Sequence, residues 1–132
     1  MAKKLKYDAL DSIFSIYIRL RDADDTGYCT CCSSGKVQFW KEMDAGHFVS
    51  RRHLSTRWLP MNVHAQSRYD NRFNNGNPCG YGKFMLEKYG PTVFDDLEQL
   101  KNRTVKITQF EIKNMIQNYK QQVKQLREEK RL

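Results

Sequence analysis

The reading of this chain turns on Trp40-Lys41-Glu42-Met43-Asp44-Ala45-Gly46-His47-Phe48, resumed at Asn62-Val63-His64-Ala65-Gln66 and again at Asp70-Asn71-Arg72-Phe73-Asn74. Taken singly these residues are ordinary. An isolated histidine is usually a satisfied surface side chain, and asparagines gather in loops because their short amides hydrogen-bond the neighbouring backbone. Together they bring an imidazole, a carboxylate and several amide oxygens into one short span. Hydrophobic periodicity is silent between Met43 and His64, where Phe48, Val49, Trp58, Leu59 and Val63 are scattered among Arg51, Arg52 and Arg57.

The flanks are more legible. Upstream, Leu10, Ile13, Phe14, Tyr17 and Leu20 recur at three- and four-residue spacing, which predicts an amphipathic helix over Tyr7 to Arg21; Ile16 and Ile18 widen its apolar face. The Asp22-to-Gly27 run breaks it. Tyr28 to Ser34 and Lys36 to Trp40 then read as two short extended segments about a turn at Gly35. Downstream, Ser67 to Asn75 reads as a short helix capped by Gly76, which would align Asn71 and Asn75, four apart, on one face. Pro78 opens the next helix and Gly90 closes it. Thr92 resembles an N-cap ahead of Leu97 and Leu100. Thr108-Gln109-Phe110-Glu111 fits a capping box, followed at helical spacing by Ile112, Met115, Ile116, Tyr119, Val123 and Leu126. Helix, strands, then helices make an α+β chain, read as one domain over 1–132: an N-terminal helix in 1–26, a core in 27–78 and a helical extension in 79–132.

The chain has 132 residues with 23 Lys plus Arg against 15 Asp plus Glu, a formal charge of +8. At 39% hydrophobic it is apolar enough to fold, despite a mean hydropathy of -0.79. No apolar run reaches the ~18 residues that span a bilayer, and no apolar signal core follows Met1-Ala2-Lys3-Lys4-Leu5-Lys6, so no membrane partner is expected. The excess of positive charge points to nucleic acid, and residues 101–132 carry nine Lys or Arg against three Glu. Cys29, Cys31 and Cys32 lie too close together for an ordinary disulfide framework, and with Cys79 they raise the question of metal in a reducing compartment.

A basic protein with this constellation has what phosphodiester hydrolysis requires. A neutral imidazole can activate water near physiological pH. A hard divalent cation, Mg²⁺ or Mn²⁺, held by one or two oxygen ligands can stabilise charge on the phosphate. His47 is the candidate base, and Asp44 is the carboxylate nearest to it in sequence. Arg51, Arg52, Arg57, Arg68 and Arg72 surround these positions as candidate phosphate contacts, with Lys113 and Lys120 on the basic last helix. His53 and His64 could touch DNA or metal, although His64 is read as packing beside the Asn62 loop. Trp40 and Trp58 are read as core residues.

From Gly27 to Gly90, through Gly27-Tyr28-Cys29-Thr30-Cys31, Asp44-Ala45-Gly46-His47-Phe48, Asn62-Val63-His64-Ala65-Gln66, Asp70-Asn71-Arg72-Phe73-Asn74 and Gly76-Asn77, the sequence resembles the phage recombination NinG (Rap) family. That family stands among the HNH, or His-Me finger, endonucleases. The resemblance implies a ββα-metal core on a treble-clef-like scaffold with flanking helices, cutting branched DNA such as Holliday junctions in the host cytoplasm. It makes His47 the general base and Asn62 the residue that fixes the loop and orients the imidazole. Asn71 becomes a metal ligand on the helix, with Asp44 or Asn75 beside it. Many HNH enzymes carry an Asp metal ligand immediately before the base, where this chain has Gly46.

The resemblance also implies two Cys-x-x-Cys zinc pairs. Here the four positions are Cys31, Ser34, Ser67 and Asp70. Three thiolates are missing, and a serine hydroxyl is a poor zinc ligand. A structural zinc contributes on the order of 10 kcal/mol to folding, so its loss must be offset. The expectation is a zinc-free scaffold in which Ser34, Ser67 and Asp70 form a polar cluster near Cys31. A rival zinc site would use Cys29 and Cys32 with Asp70 or Cys79. The alternative function is a DNA- or junction-binding module whose nuclease has decayed. A homodimer through the Ile112-to-Leu126 stripe is open, because the same stripe could instead cover the chain's own core.

Overall fold

Helix α1, Asp8–Asp22, is the element on which the others are laid. The computed structural model describes residues 6–132, so the first five positions of the expected N-terminal segment lie outside the described residues. The chain is α+β, with two small antiparallel sheets and several helices. Strands β1, Tyr28–Thr30, and β2, Val37–Phe39, form one sheet; β3, Met43–His47, and β4, Val63–Ser67, form the other. The short helix α2, Leu54–Arg57, lies in the loop between β3 and β4. Helices α3, Pro78–Tyr89, α4, Val93–Lys101, and α5, Gln109–Lys130, complete the fold.

The widened apolar face of α1 has two neighbours. Leu10, Phe14 and Ile18 pack with Val63 of β4, Trp58, and Ile112 and Tyr119 of α5. Leu20 packs with Cys29, Trp40, Met43, Ala65 and Val123. The α5 stripe thus covers the chain's own core. Thr108 Oγ1 accepts the Glu111 N–H at 3.1 Å at the start of α5. At its end, the Lys130 ammonium donates to the carbonyls of Leu20, Arg21 and Ala23, capping α1 where the helix dipole is negative.

The silence of the 43–64 stretch has a structural cause. Strand β4 is buried along its whole length. Val63 and Ala65 face the α1 side, while His64 and Gln66 point to the opposite, polar-lined side. Polar residues on a buried face erase the apolar alternation that marks a half-exposed strand. Arg21 donates to the carbonyls of Pro60 and Val63, and the Asp22 carboxylate accepts the Ala65 N–H at 2.8 Å, so the end of α1 satisfies the free edge of β4.

Two expectations need correction. The segment Ser67 to Asn75 forms only a π-helical turn, Tyr69–Phe73, and Asn75 lies beyond it with φ 56, so Asn71 and Asn75 share no helix face. Gly76 does cap this turn: its N–H reaches the Asp70 carbonyl at 2.8 Å with φ 77, the left-handed conformation open to glycine. At α4, the Thr92 side chain makes no cap bond, and the Gly90 carbonyl accepts the Val93 N–H instead.

His64 is 1% exposed, with Nδ1 3.0 Å from the Tyr81 hydroxyl and Nε2 2.7 Å from that of Tyr89. It joins β4 to α3, and contacts neither solvent nor a metal-like cluster. Burial, reinforced by the Arg21 charge, lowers its pKa from 6.5 to about 4. The unfolded chain therefore binds a proton that the fold rejects between these values. Unfolding free energy should be full above pH 6.5 and fall by on the order of 3 kcal/mol toward pH 4. Urea titrations at pH 7.5 and 4.5 measure it, and His64→Gln should flatten most of the difference.

Candidate active site

The β3–β4 pairing sets the first part of the site. His47 at the end of β3 pairs with Val63, the residue after Asn62. Strand geometry therefore brings together the two ends of the long loop at 48–62. Asn62 is fully buried and uses its amide to close that loop: Oδ1 accepts the Val49 N–H at 2.8 Å, while Nδ2 donates to the carbonyls of Val49 and Thr56 at 3.0 and 3.1 Å. The imidazole is oriented by a different group. His47 Nε2 lies 2.8 Å from the Arg57 carbonyl, so Nε2 carries the proton and Nδ1 is the basic nitrogen. Asn62 thus fixes the loop, and the hydrogen bond to the ring comes from that loop's Arg57 carbonyl. Burial, the largest influence, lowers the pKa of His47 and keeps the ring neutral at pH 7.

Arg57 itself is held by α1. Its guanidinium pairs with the Asp11 carboxylate, which also accepts from Arg51 and from Trp58 Nε1. Arg57 further lies against the rings of Tyr7 and Trp58. Of the expected phosphate contacts it is the one consumed internally, with a side chain only 14% exposed. Asp11 is the functional residue that the sequence reading missed. Its partners lie some 40 or more positions away, and no local pattern signals such a pairing.

A cleft of about 800 Å³ opens beside His47, lined by Asp11, Asp44, Arg51, Asn71, Phe73 and Asn75 among others. Asp44, in the middle of β3, accepts two bonds from Arg72 at 2.8 and 2.9 Å and one from Asn71 Nδ2 at 2.9 Å, with Arg68 at 3.6 Å. Burial acts to raise its pKa, but the Arg72 and Asn71 bonds outweigh this and hold the carboxyl below the usual carboxylate range. Among the described residues no three His, Cys, Asp or Glu side chains converge as a metal cluster. Any cation here would depend on amide oxygens as well as Asp44.

The four zinc positions meet in a hydrogen-bonded network. Cys31 Sγ accepts the backbone N–H of Ser34 at 3.4 Å and of Ser67 at 3.1 Å. Its neighbour Ser33, rather than Ser34, supplies the central hydroxyl: Oγ donates to Asp70 Oδ2 at 2.7 Å and accepts from Gln66 Nε2 at 2.9 Å. The Ser34 hydroxyl turns outward to accept the Lys36 N–H, correcting the expected cluster. Asp70 accepts further bonds from Asn74 and Asn77, and its N–H donates to Ser67 Oγ. Burial pushes the Asp70 pKa up, but the bonds from Asn77, Ser33 and Asn74 prevail and keep it ionised. Burial likewise opposes, but does not cancel, the hydrogen bonding by Ser33, Ser34 and Ser67 that brings the Cys31 thiol down to about 7.

Cys29 and Cys32 do not converge. Cys29 packs with Leu20 and Trp40 and donates to the Arg19 carbonyl, whereas Cys32 packs with Tyr81, Met85 and Val93. Burial raises Cys29 to about 12 and raises Cys32 as well, so both are protonated thiols here. Cys79 is exposed. Cys29 and Cys32, the pair of the rival zinc site, thus belong to different apolar clusters.

A family model described as Bacteriophage Lambda NinG protein matches residues 2–129. The chain belongs to the NinG family. Neither the curated proteins nor the solved structures yield a match. In this NinG chain Arg51, Arg52, Arg68 and Arg72 are exposed, and of these Arg51 and Arg72 line the cleft. Lys113 and Lys120 are exposed on α5, outside the cleft lining. Trp40 and Trp58 are core residues at 5% and 6% exposure. No helix among the described residues is long and apolar enough to cross a membrane.

The glycine before His47 also has a cause. A Cβ at Gly46 would stand 2.0 Å from Gln66 Oε1, and Gln66 is pinned by its bonds to Ser33 Oγ and the Gly76 carbonyl. An Asp at this position and Gln66 in its present place exclude each other. Gly46→Ala should cost about 2 kcal/mol by forcing Gln66 off its partners. Urea unfolding of Gly46→Ala, Gln66→Ala and the double variant measures the coupling, with the double variant less destabilised than the sum of the two.

Proposed function

We propose that this NinG chain is a metal-dependent DNA endonuclease of the HNH, or His-Me finger, type with a ββα-metal core, acting on branched phage recombination intermediates such as Holliday junctions. One observation carries the reading: the Arg57 carbonyl occupies Nε2 of His47, leaving Nδ1 as a neutral base beside a cleft walled by Asp44 and Asn71. In this reading Nδ1 takes a proton from water, the hydroxide attacks phosphorus, and the bond to one ester oxygen breaks, that oxygen leaving as an alcohol on protonation. General-base assistance of this kind contributes about 10² to 10⁴ in rate.

The donor set suits a hard cation. Asp44 is ionised, and with Nδ2 of Asn71 directed at Asp44, its Oδ1 is the donor left for a ligand; Mg²⁺ and Mn²⁺ favour such oxygens. Asp44 and Asn71 would hold the cation, with Asn75 at the cleft edge, and it would stabilise charge developing on the phosphate. Arg72 is exposed enough to exchange Asp44 for a DNA phosphate, and the exposed Arg51 lines the same cleft. The knuckle at 31–35 is zinc-free in this reading, its ligands replaced by the Ser33–Asp70 network. Elemental analysis should find no stoichiometric zinc, and the far-UV CD of the chain should survive EDTA.

His47→Ala should lower Mg²⁺- or Mn²⁺-dependent cutting of a labelled four-way junction at least 100-fold while leaving DNA binding intact. Normal cutting by this variant would refute the role. Because burial lowers the pKa of His47, the acid limb of the wild-type rate should fall off below the ordinary histidine value of 6.5.

A second reading is favoured by the Arg72–Asp44 pair, which neutralises the carboxylate that the first reading gives to the cation. It is a junction-binding module without cleavage. Binding that is equal in Mg²⁺ and EDTA, with no product in any metal, would establish it.

A further inference from the structure

The π-helical turn Tyr69–Phe73 divides its side chains sharply. Asp70 is buried in the polar network, and Asn71 and Arg72 are bound to Asp44. Tyr69 and Phe73 are left 61% and 77% exposed. Phe73 nevertheless lines the same cleft as His47. The mount is rigid: the Asp70 carboxylate accepts three side-chain bonds, and its carbonyl accepts the Gly76 N–H. A phenyl ring held largely in solvent by a braced turn is placed to meet something outside the chain.

The surroundings identify the partner's chemistry. Each aromatic follows an arginine in sequence, Arg68-Tyr69 and Arg72-Phe73, and Arg51 lines the same cleft. Guanidinium groups hold phosphates, and an aromatic face stacks on a base whatever its sequence. Inside a duplex both faces of a base are covered by its neighbours. A base is freed to stack on protein at least cost at a branch, flap or single-stranded end, where little pairing and stacking is lost.

We propose that Phe73 is a stacking platform for an unpaired DNA base, so that the cleft selects DNA carrying an unstacked base next to a duplex. This rests on the proposed DNA-cutting site for its location, but its readout is binding. Phe73 thereby acts as a specificity-determining residue, and the arginines hold the flanking phosphates.

The test uses the full chain in EDTA with a four-way junction carrying 2-aminopurine at the branch point, and a matched duplex carrying it internally. The wild type should prefer the junction and change its 2-aminopurine fluorescence. Phe73→Ala should reduce the junction-to-duplex affinity ratio about ten-fold and abolish the fluorescence change, while Phe73→Trp keeps both. Phe110→Ala, which removes a comparably exposed ring at the start of α5, should leave the ratio as in the wild type. Retention of the ratio and the fluorescence change by Phe73→Ala would overturn the proposal. Adding Mg²⁺ or Mn²⁺ then separates the two readings. A stacked base without cutting sustains the platform and removes the nuclease, whereas equal cutting of both DNAs with no fluorescence change sustains the nuclease and removes the platform.

Discussion

The hydrogen-bond network centred on Ser33 Oγ and the Asp70 carboxylate is the constraint on which the rest of this structure depends. It joins four pieces of chain through polar contacts: the knuckle after β1, the end of β4, the turn at 69–73 and the start of α3. A buried charge is costly unless its lone pairs are satisfied, and Asp70 is satisfied by Ser33, Asn74 and Asn77 together. Such a network is all-or-none. With every member paired it fixes the turn as firmly as a metal clamp, and that turn carries Asn71, Arg72 and Phe73 to the cleft.

A second chain of contacts runs from α1 to the imidazole. Asp11 holds the Arg57 guanidinium, and the Arg57 carbonyl holds His47 Nε2. Asn62 closes the same loop from the other side. Cleft geometry is thereby tied to the burial of α1, whose apolar face is the spine of two core clusters. Ordering a ring through a backbone carbonyl leaves the identity of the Arg57 side chain free to serve the loop. The carbonyl itself is available from any residue at that position.

Much of this was legible in the chain. The α1 stripe, the Pro78-to-Gly90 helix and the Thr108 cap are local patterns, written in residues three or four apart, and the helices appear where periodicity places them. The central hairpin was not legible by periodicity, because His64 and Gln66 are polar residues on a buried face. Only the resemblance to the NinG family, through His47, Asn62 and Asn71, points to it. The turn at 69–73 was read as an ordinary helix, since nothing in Tyr69-Asp70-Asn71-Arg72-Phe73 announces that Asp70 must point inward while its neighbours point away.

By itself the sequence determined the class of the fold, the net positive charge, the clustering of three cysteines at 29–32, and which histidine stands in the Trp40-to-Phe48 stretch. These are properties of composition and of neighbours along the chain. Tertiary structure alone decided which nitrogen of His47 is basic, that Ser33 replaces Ser34 at the centre of the network, that Arg57 is consumed by Asp11, and that a side chain at Gly46 would displace Gln66. Each depends on a partner between about 10 and 50 positions distant, brought near by strand pairing and by burial of α1. Hydrogen bonds and close contacts depend on distance in space, and spacing along the chain records that distance only within a helix, a strand or a tight turn.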